Sequence, residues 1–412
     1  MSKPFFSVVI PTRNRAALLP YAVGSVLAQT FGDLEVIISD NFSSDETPEI
    51  GRSFDDRRVK YFRSERPLSI GESFEFALGH ATGEYTAFLS DDDAQAKVCL
   101  ENFHRLIIAE NAQIVACRLT PYFAEDCYCY GRQIKRQSLA VMPFTREVTV
   151  LDKVESLTAL FAAIGLTTQI DKAKSVKFPQ LVNAVYKTEL FTKLQQRIPI
   201  LFPALGSDIY TTALFFNIID RFYYIDEPLY LYRIWDGSET TGKEEFFKRH
   251  PEESLMDHVP LKKTVSVGNY HVNTVLRAAS EWGEDYFPVN IDWGQYFAAR
   301  YQDIREMAQR GLDVSEELEE FETVLLKQTL DIQKRATRRD LTVPIKDFLR
   351  LKVRATFIGS LMLKINYPGV KLMSHKTDGF ANIIECAELI DGSFLQKYSS
   401  KTGNRKFESN WM

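Results

Sequence analysis

The stretch FLSDDDA, residues 88–94, decides how the rest of the sequence is interpreted. Its three consecutive carboxylates, Asp91, Asp92 and Asp93, follow an apolar run that begins at Tyr85. Neighbouring ionised carboxylates repel one another, and a divalent cation between them removes that repulsion. Hard oxygen ligands suit magnesium or manganese, which commonly complete their shell with water and substrate phosphates. The stretch therefore indicates a metal-dependent nucleotide-phosphate site, although an acidic turn or a helix N-cap would contain the same residues.

The preceding residues alternate between short apolar runs and helical patterns. Strands are predicted at residues 5–10, 34–40, 59–63 and 85–90. Helices are predicted between them, with Pro11 ending the first strand and Ser43 or Ser44 capping the second helix. This alternation is typical of an α/β fold with a mostly parallel, Rossmann-like sheet.

Polar residues follow three of these predicted strands. They are Thr12-Arg13-Asn14, Asp40-Asn41 and the acidic run 91–93. Because ligands of such sheets bind beyond the carboxyl ends of the strands, we expect the three groups to share one site. The sequence has neither GxGxxG after the first strand nor GxxxxGK[ST], so a dinucleotide fingerprint and a P-loop are both excluded.

Composition restricts the class of protein. The chain has 412 residues, 45% of them hydrophobic and 25% charged, as in a folded soluble protein. The net charge of -5 argues against nucleic acid as a partner. Five cysteines form no disulfide framework or zinc-site spacing. With no signal peptide and no long apolar segment, we expect a cytoplasmic protein, with peripheral membrane contact left open.

Length predicts at least two domains, divided here into residues 1–240 and an all-helical region at 241–412. The stretch from Ile345 to Lys364 is basic and amphipathic. Such a stretch fits an interfacial membrane helix, but a helix packed on the domain with a solvated Lys/Arg face would have the same pattern. The role of this region and the oligomeric state are not readable from the sequence.

Three motifs in order, FSVVIPTRNR, EVIISDNFSSDET and GEYTAFLSDDD, resemble those of the family 2 glycosyltransferases. The resemblance is strongest before residue 95 and extends to about 235. It implies a GT-A fold and an inverting transfer of a sugar from a nucleoside diphosphate sugar, most often UDP-linked. It also implies a divalent metal cofactor, manganese or magnesium, and a glycan or lipid-linked acceptor in surface polysaccharide synthesis.

The resemblance assigns roles to individual positions. Pro11, Thr12 and Arg13 would border the nucleotide, and Asp40 would accept a hydrogen bond from the base. The run 91–93 would occupy the DXD position, with Asp91 and Asp92 at the diphosphate and Asp91, Asp92 and Asp93 as candidate metal ligands. Ser90 departs from the family, which often has the first Asp there. Asn41 and Phe42 likewise replace the common Asp and Gly.

Asp208, in Gly206-Ser207-Asp208, matches the family's acidic motif before a helix. A carboxylate there would act as the general base that takes the proton of the acceptor hydroxyl. A helix N-cap without chemistry would account for the same residue.

Two other functions compete. A nucleotidyltransferase would need a Gly-rich basic loop after the first strand, which is missing. A non-catalytic nucleotide-sugar-binding or assembly partner is left open by Ser90 and Asn41.

Overall fold

The computed structural model describes residues 3–124, 126–129, 132–141, 144–166, 177–203, 206–234, 256–264, 266–283, 291–309, 312–337 and 371–373. Strands and helices alternate in its first part. They are β1 (Phe6–Thr12), α1 (Leu19–Leu27), β2 (Leu34–Asp40), α2 (Thr47–Arg52), β3 (Val59–Arg63), α3 (Ile70–Leu78) and β4 (Tyr85–Phe88). The expectation that Pro11 ends the first strand was wrong. β4 pairs with β1 only as far as Val9, so the missing N–H of Pro11 removes no ladder bond to β4.

The middle of the chain adds shorter strands and further helices. These are β5 (Ala94–Gln95), α4 (Cys99–Glu110), β6 (Ile114–Phe123), β7 (Cys127–Cys129), β8 (Arg132–Ile134), β9 (Ser138–Val141), β10 (Val148–Asp152), α5 (Lys153–Ala163), β11 (Ala184–Lys187), α6 (Glu189–Gln195), α7 (Ser207–Phe215) and β12 (Arg221–Ile234). The last described elements are α8 (Val267–Trp282), α9 (Trp293–Gln309), α10 (Ser315–Leu326), α11 (Leu330–Thr337) and β13 (Lys371–Met373).

Within the described residues, eleven strands join one sheet, whose main path is β10-β12-β6-β11-β4-β1-β2-β3. β4, β1, β2 and β3 are mutually parallel. β11 runs antiparallel to both β4 and β6, which makes the other half of the sheet mixed. The predicted α/β class is therefore confirmed, with the parallel arrangement concentrated in the N-terminal strands.

Both faces of the sheet are covered, as the continuous apolar strands predict. Along β2, Val36 and Ile38 join one hydrophobic cluster and Ile37 joins the other, because successive side chains of a strand point to opposite faces. All three are fully buried. Burying a side chain of this size contributes about 1.5–3 kcal/mol, so the strand is fixed in register by both layers.

The C-terminal helices pack on one of these two clusters. Val272 of α8, Phe297 of α9 and Phe321 of α10 belong to the same cluster as Phe88 of β4 and Tyr186 of β11. The predicted helical character holds for residues 267–337, whereas β13 is a short strand paired with β9. The boundary predicted at residue 240 stays a prediction.

The basic stretch at 345–364 lies outside the described residues. Among the helices that the structure describes, none combines the length and the apolar content that crossing a bilayer requires.

Candidate active site

The three polar groups predicted from the sequence lie at one edge of the sheet. β1 lies between β4 and β2, pairing Val9 with Phe88 and Thr12 with Asp40. Because these strands are parallel, their carboxyl ends meet at the same edge. The residues that follow β1, β2 and β4 are therefore neighbours in space, as expected.

Asp91 lies against the end of β1. Its carboxyl group faces the hydroxyl of Thr12 and the backbone N–H of Arg13. The guanidinium Nε of Arg15 is 3.7 Å from Asp91 Oδ1, and the Asp91 side chain is 13% exposed. Burial, followed by the negative charge of Asp92, raises the pKa of Asp91 to about 7, although these polar neighbours oppose the rise. The positive charge near Asp91 therefore does not offset its burial and the negative charge of Asp92.

Asp93 is held by the fold itself. Its Oδ2 accepts a hydrogen bond from the Tyr230 hydroxyl at 2.7 Å, and its Oδ1 accepts one from the backbone N–H of Arg233 at 2.8 Å. Both donors belong to β12, and the Asp93 residue is 6% exposed. Both oxygens of Asp93 thus hold the acidic turn against β12.

Asp92 is less constrained by protein donors. Its Oδ1 accepts a hydrogen bond from the Ser90 hydroxyl at 2.7 Å, and the residue is half-buried. Ser90, which departs from the family motif, therefore orients the side chain of Asp92.

The carboxylates fit a divalent cation at two of the three positions. Asp91 and Asp92 offer hard oxygen atoms, and a cation would offset the charge that raises the pKa of Asp91. Among the described residues, no group of three or more His, Cys, Asp or Glu side chains is arranged to hold a metal ion. Two carboxylates match a cation that takes its other ligands from water and diphosphate. The three-carboxylate set stays a prediction.

Asp40 is fully buried at the end of β2. Its Oδ1 accepts a hydrogen bond from Ser43 N at 2.9 Å, and its Oδ2 accepts one from the Tyr61 hydroxyl at 2.5 Å. Arg63 Nε lies 3.7 Å from the same Oδ2. In this arrangement Asp40 orders the loop after β2, and its predicted hydrogen bond to a base stays a prediction.

Hydrogen bonds of Asn14 with Ser43 and Ser44 join the loops that follow β1 and β2. The sequence analysis assigned the two serines to a helix cap. Ser43 Oγ accepts a hydrogen bond from Asn14 N at 2.9 Å, and Asn14 Oδ1 accepts one from Ser44 N at 2.8 Å. The predicted capping by Ser43 or Ser44 was wrong, because α2 begins at Thr47 with Glu46 as its N-cap. The two serines bind the neighbouring loop instead.

Pro11 and Arg13 complete the first loop. Pro11 is half-buried within β1, while Arg13 is exposed and faces Asp91 through its backbone. The side chain that approaches Asp91 is that of Arg15, two residues later. The sequence analysis missed Arg15, whose backbone N–H also donates to Thr47 Oγ1 at 2.9 Å.

Asp208 lies in the first turn of α7 and is half-buried. The N-cap residue is Gly206, with φ of 63°, and no side-chain capping bond is present at this helix start. A side chain at Gly206 would approach Thr274 Oγ1 and Tyr270 Cε1 of α8 at 2.9 Å each. The helix that carries Asp208 is therefore set closely against α8. The predicted role of Asp208 as a base stays a prediction.

Curated proteins that resemble this chain match it over less than a quarter of its length. A GalNAc(5)-diNAcBac-PP-undecaprenol beta-1,3-glucosyltransferase from Campylobacter jejuni is 41% identical over 93 residues, covering 22% of this chain and 30% of that protein. A PGL/p-HBAD biosynthesis glycosyltransferase from Mycobacterium bovis is 35% identical over 96 residues, covering 23% and 38%. The match thus spans less than two fifths of either relative.

Two solved structures give weak matches over most of the chain. TarS of S. aureus in complex with UDP-GlcNAc has a TM-score of 0.46 at 17% identity, covering 81% of this chain and 78% of that one. A mannosyltransferase from Pyrobaculum calidifontis in complex with GDP-Man and Mn2+ has a TM-score of 0.42 at 16% identity, covering 89% and 88%. Likenesses of this strength assign no function.

The family model gives the firmest assignment. Residues 7–160 match the model described as Glycosyl transferase family 2. This segment runs from the second residue of β1 through β10 and contains Thr12, Asp40 and Asp91. By this match, the N-terminal part of the chain is similar to the family 2 glycosyltransferases, the family that the sequence motifs resemble.

Proposed function

We propose that this chain is an inverting glycosyltransferase that moves a sugar from a nucleoside diphosphate sugar, UDP-linked by family resemblance, to a glycan or lipid-linked acceptor. The observation that carries this proposal is that Asp91, which lies beside Asp92, faces Thr12, Arg13 and Arg15 at the end of β1. Such an edge offers hard oxygens for a cation beside positive groups for phosphates.

The donor side of the site supports binding of a diphosphate. Asp91 and Asp92 would hold manganese or magnesium, and a bound cation supplies Lewis-acid stabilisation for the leaving diphosphate. Arg15, 34% exposed, stands 3.7 Å from Asp91 and adds positive charge at the same place. Asp93 holds the turn to β12 through Tyr230, so the two ligand carboxylates are presented from a fixed backbone.

Asp208 is the proposed general base. An acceptor hydroxyl that attacks the anomeric carbon must lose its proton as the new bond forms, and a carboxylate within hydrogen-bond reach can take it. Attack from the face opposite the leaving diphosphate inverts the anomeric centre. The first turn of α7 carries no other acidic residue, and it is positioned by the contact of Gly206 with α8.

The acceptor class is proposed from the relatives. The name of the Campylobacter jejuni protein refers to a PP-undecaprenol-linked glycan. A place in surface polysaccharide synthesis is part of the proposal. We propose that the acceptor of this chain is also a lipid-linked glycan, which it binds at the cytoplasmic face of a membrane. Peripheral contact with that membrane is part of the same proposal.

Thermal unfolding with nucleoside diphosphates, with and without manganese, tests the donor site. We expect one nucleotide to raise the melting temperature of the wild type in a metal-dependent way, and Asp92→Asn to abolish that rise. The control is Asp55→Asn, which removes an exposed carboxylate before β3 and should keep the full rise. A wild type that responds to no nucleotide would contradict the proposal.

Turnover tests the base separately. With a lipid-linked acceptor, Asp208→Asn should lower kcat about 10²-fold or more while nucleotide binding is unchanged. Release of nucleoside diphosphate gives the rate. A protein that binds the nucleotide, shows no transfer and is indifferent to Asp208→Asn would instead be a non-catalytic nucleotide-sugar-binding partner.

A further inference from the structure

Phe42 has a backbone conformation that is unusual for its side chain. Its φ is 53°, in the left-handed region where a bulky residue is an outlier and glycine is at ease. The turn requires this conformation, because Ser43 N donates to Asp40 Oδ1 and Ser43 Oγ accepts from Asn14 N. These hydrogen bonds explain the left-handed backbone at this position. They do not explain why the residue is a phenylalanine.

The ring is also exposed. Phe42 is 40% exposed, although the hydrophobic clusters on both faces of the sheet are well filled. A strained and exposed aromatic side chain buries little apolar surface at this position. Strained residues gather at ligand sites, where the side chain has a use in the bound state.

Arg63 is fixed beside the ring. Its guanidinium carbon lies 5.2 Å from the centre of the Phe42 ring, and its Nη2 donates to Ser43 O at 2.7 Å. Arg63 Nε also lies 3.7 Å from Asp40 Oδ2. Phe42 and Arg63, here called the Phe42–Arg63 platform, therefore form an ordered pair of flat groups at the ends of β2 and β3.

The platform lies a nucleotide's length from the acidic turn. Strand order β4-β1-β2-β3 places the end of β2 two strands from the end of β4, or about 10 Å at normal strand spacing. β3 lies one strand farther, about 14 Å away. A diphosphate held at Asp91 and Asp92 would therefore direct its nucleoside along the edge toward the platform.

We propose that the Phe42–Arg63 platform is the stacking surface for the base of the donor nucleotide, and that Phe42 sets the affinity for nucleotides. This inference rests on the proposed donor site and adds a residue-specific claim to it. Every nucleobase has a flat face that can stack on an aromatic ring or a guanidinium plane. The gain in binding would explain why a strained phenylalanine occupies a turn suited to glycine.

Binding and stability measured together test this proposal. Calorimetry with manganese would compare nucleoside diphosphates and inorganic pyrophosphate on wild type, Phe42→Gly and Phe42→Trp. We expect Phe42→Gly to weaken nucleoside diphosphate binding about tenfold, at the lower end of stacking energies, and to leave pyrophosphate binding unchanged. Phe42→Trp should bind within about twofold of the wild type, because it keeps a flat surface.

Thermal unfolding of the same variants separates binding from structure. Phe42→Gly should melt at or above the wild-type temperature, because glycine removes the unfavourable φ. Gln137→Gly is the matched control: Gln137 has φ of 59° before β9, so its replacement should act on stability alone.

Three outcomes would overturn the proposal. The first is Phe42→Gly protein that binds the nucleoside diphosphate like wild type. The second is an equal loss of pyrophosphate binding, which would assign Phe42 to loop geometry. Wild-type protein that binds pyrophosphate but no nucleoside diphosphate would also reject the platform. Wild-type protein that binds neither would instead reject the donor site on which the platform rests.

Discussion

Glu35 is a buried carboxylate whose ionised form is matched by donors from three segments. Its Oε1 accepts hydrogen bonds from the Ser7 hydroxyl at 2.5 Å and from Thr82 N at 2.8 Å, and Lys60 Nζ donates to Oε2 at 2.5 Å. Burial by itself would raise the pKa of Glu35, but these bonds, with Lys60 first, outweigh burial and hold the pKa below its usual value. Ionised Glu35 therefore stabilises the joined ends of β1, β2 and β3.

We predict that Glu35→Gln lowers the free energy of unfolding by about 2 kcal/mol at neutral pH. A carboxyl group with a lowered folded pKa contributes fully above its unfolded pKa of about 4.3 and loses that contribution as pH falls through the folded value. The difference between wild type and Glu35→Gln should thus shrink below about pH 4. Urea unfolding across pH measures it.

Glu319→Gln, at an exposed position of α10, is the control and should change stability by less than about 0.5 kcal/mol. A difference between wild type and Glu35→Gln that stays constant down to pH 3 would show that the charge of Glu35 is not what matters.

The residue pattern located the acidic turn but could not assign a separate role to each of its three carboxylates. Three adjacent carboxylates look equivalent in the sequence, yet Asp93 is taken by Tyr230, which lies 137 positions later in the chain. Arg15 approaches Asp91 although Arg13 occupies the motif position. Both outcomes depend on how distant strands pair, which no local pattern encodes.

At the scale of elements, the contact between α7 and α8 controls where Asp208 lies. Gly206 has φ of 63° and sits 2.9 Å, measured from the position of an added Cβ, from both Thr274 and Tyr270. We predict that Gly206→Ala lowers stability by about 1–2 kcal/mol and lowers kcat, because the helix start must shift. KM for the donor should not change, since the donor site lies on the strand ends.

Steady-state kinetics and thermal unfolding of Gly206→Ala give both quantities. Gly32→Ala is the control: no atom lies within 4 Å of its added Cβ, so both kcat and stability should remain near wild type. A Gly206→Ala enzyme with unchanged kcat would separate the start of α7 from the chemistry.

Elements with strong local signals were predictable. The runs at 34–40 and 59–63 became β2 and β3, with the bounds expected. The strands β8 to β10 are three to five residues long and were not predicted. Strands this short are defined by their partners: β9 pairs with both β6 and β13, the latter more than two hundred residues away.

At the scale of the whole molecule, the C-terminal helices and the sheet share one hydrophobic cluster. Phe297 of α9 is fully buried in the cluster that contains Phe88 of β4, and it contacts Tyr296 and Phe321 edge to face. A division of the chain at residue 240, predicted from length and composition, cuts through this cluster. Composition cannot show that two regions bury their apolar faces against one another.

We therefore predict that Phe297→Ala destabilises the sheet as well as the helices. Removing a buried phenyl ring costs about 3–5 kcal/mol, and a shared core should lose protection throughout. Native-state hydrogen exchange, followed by mass spectrometry on peptides from β1 and α9, should report equal losses. Leu326→Ala, at a position 75% exposed, should change neither. Loss of protection in α9 alone would show that the two regions unfold separately, as the division at 240 implies.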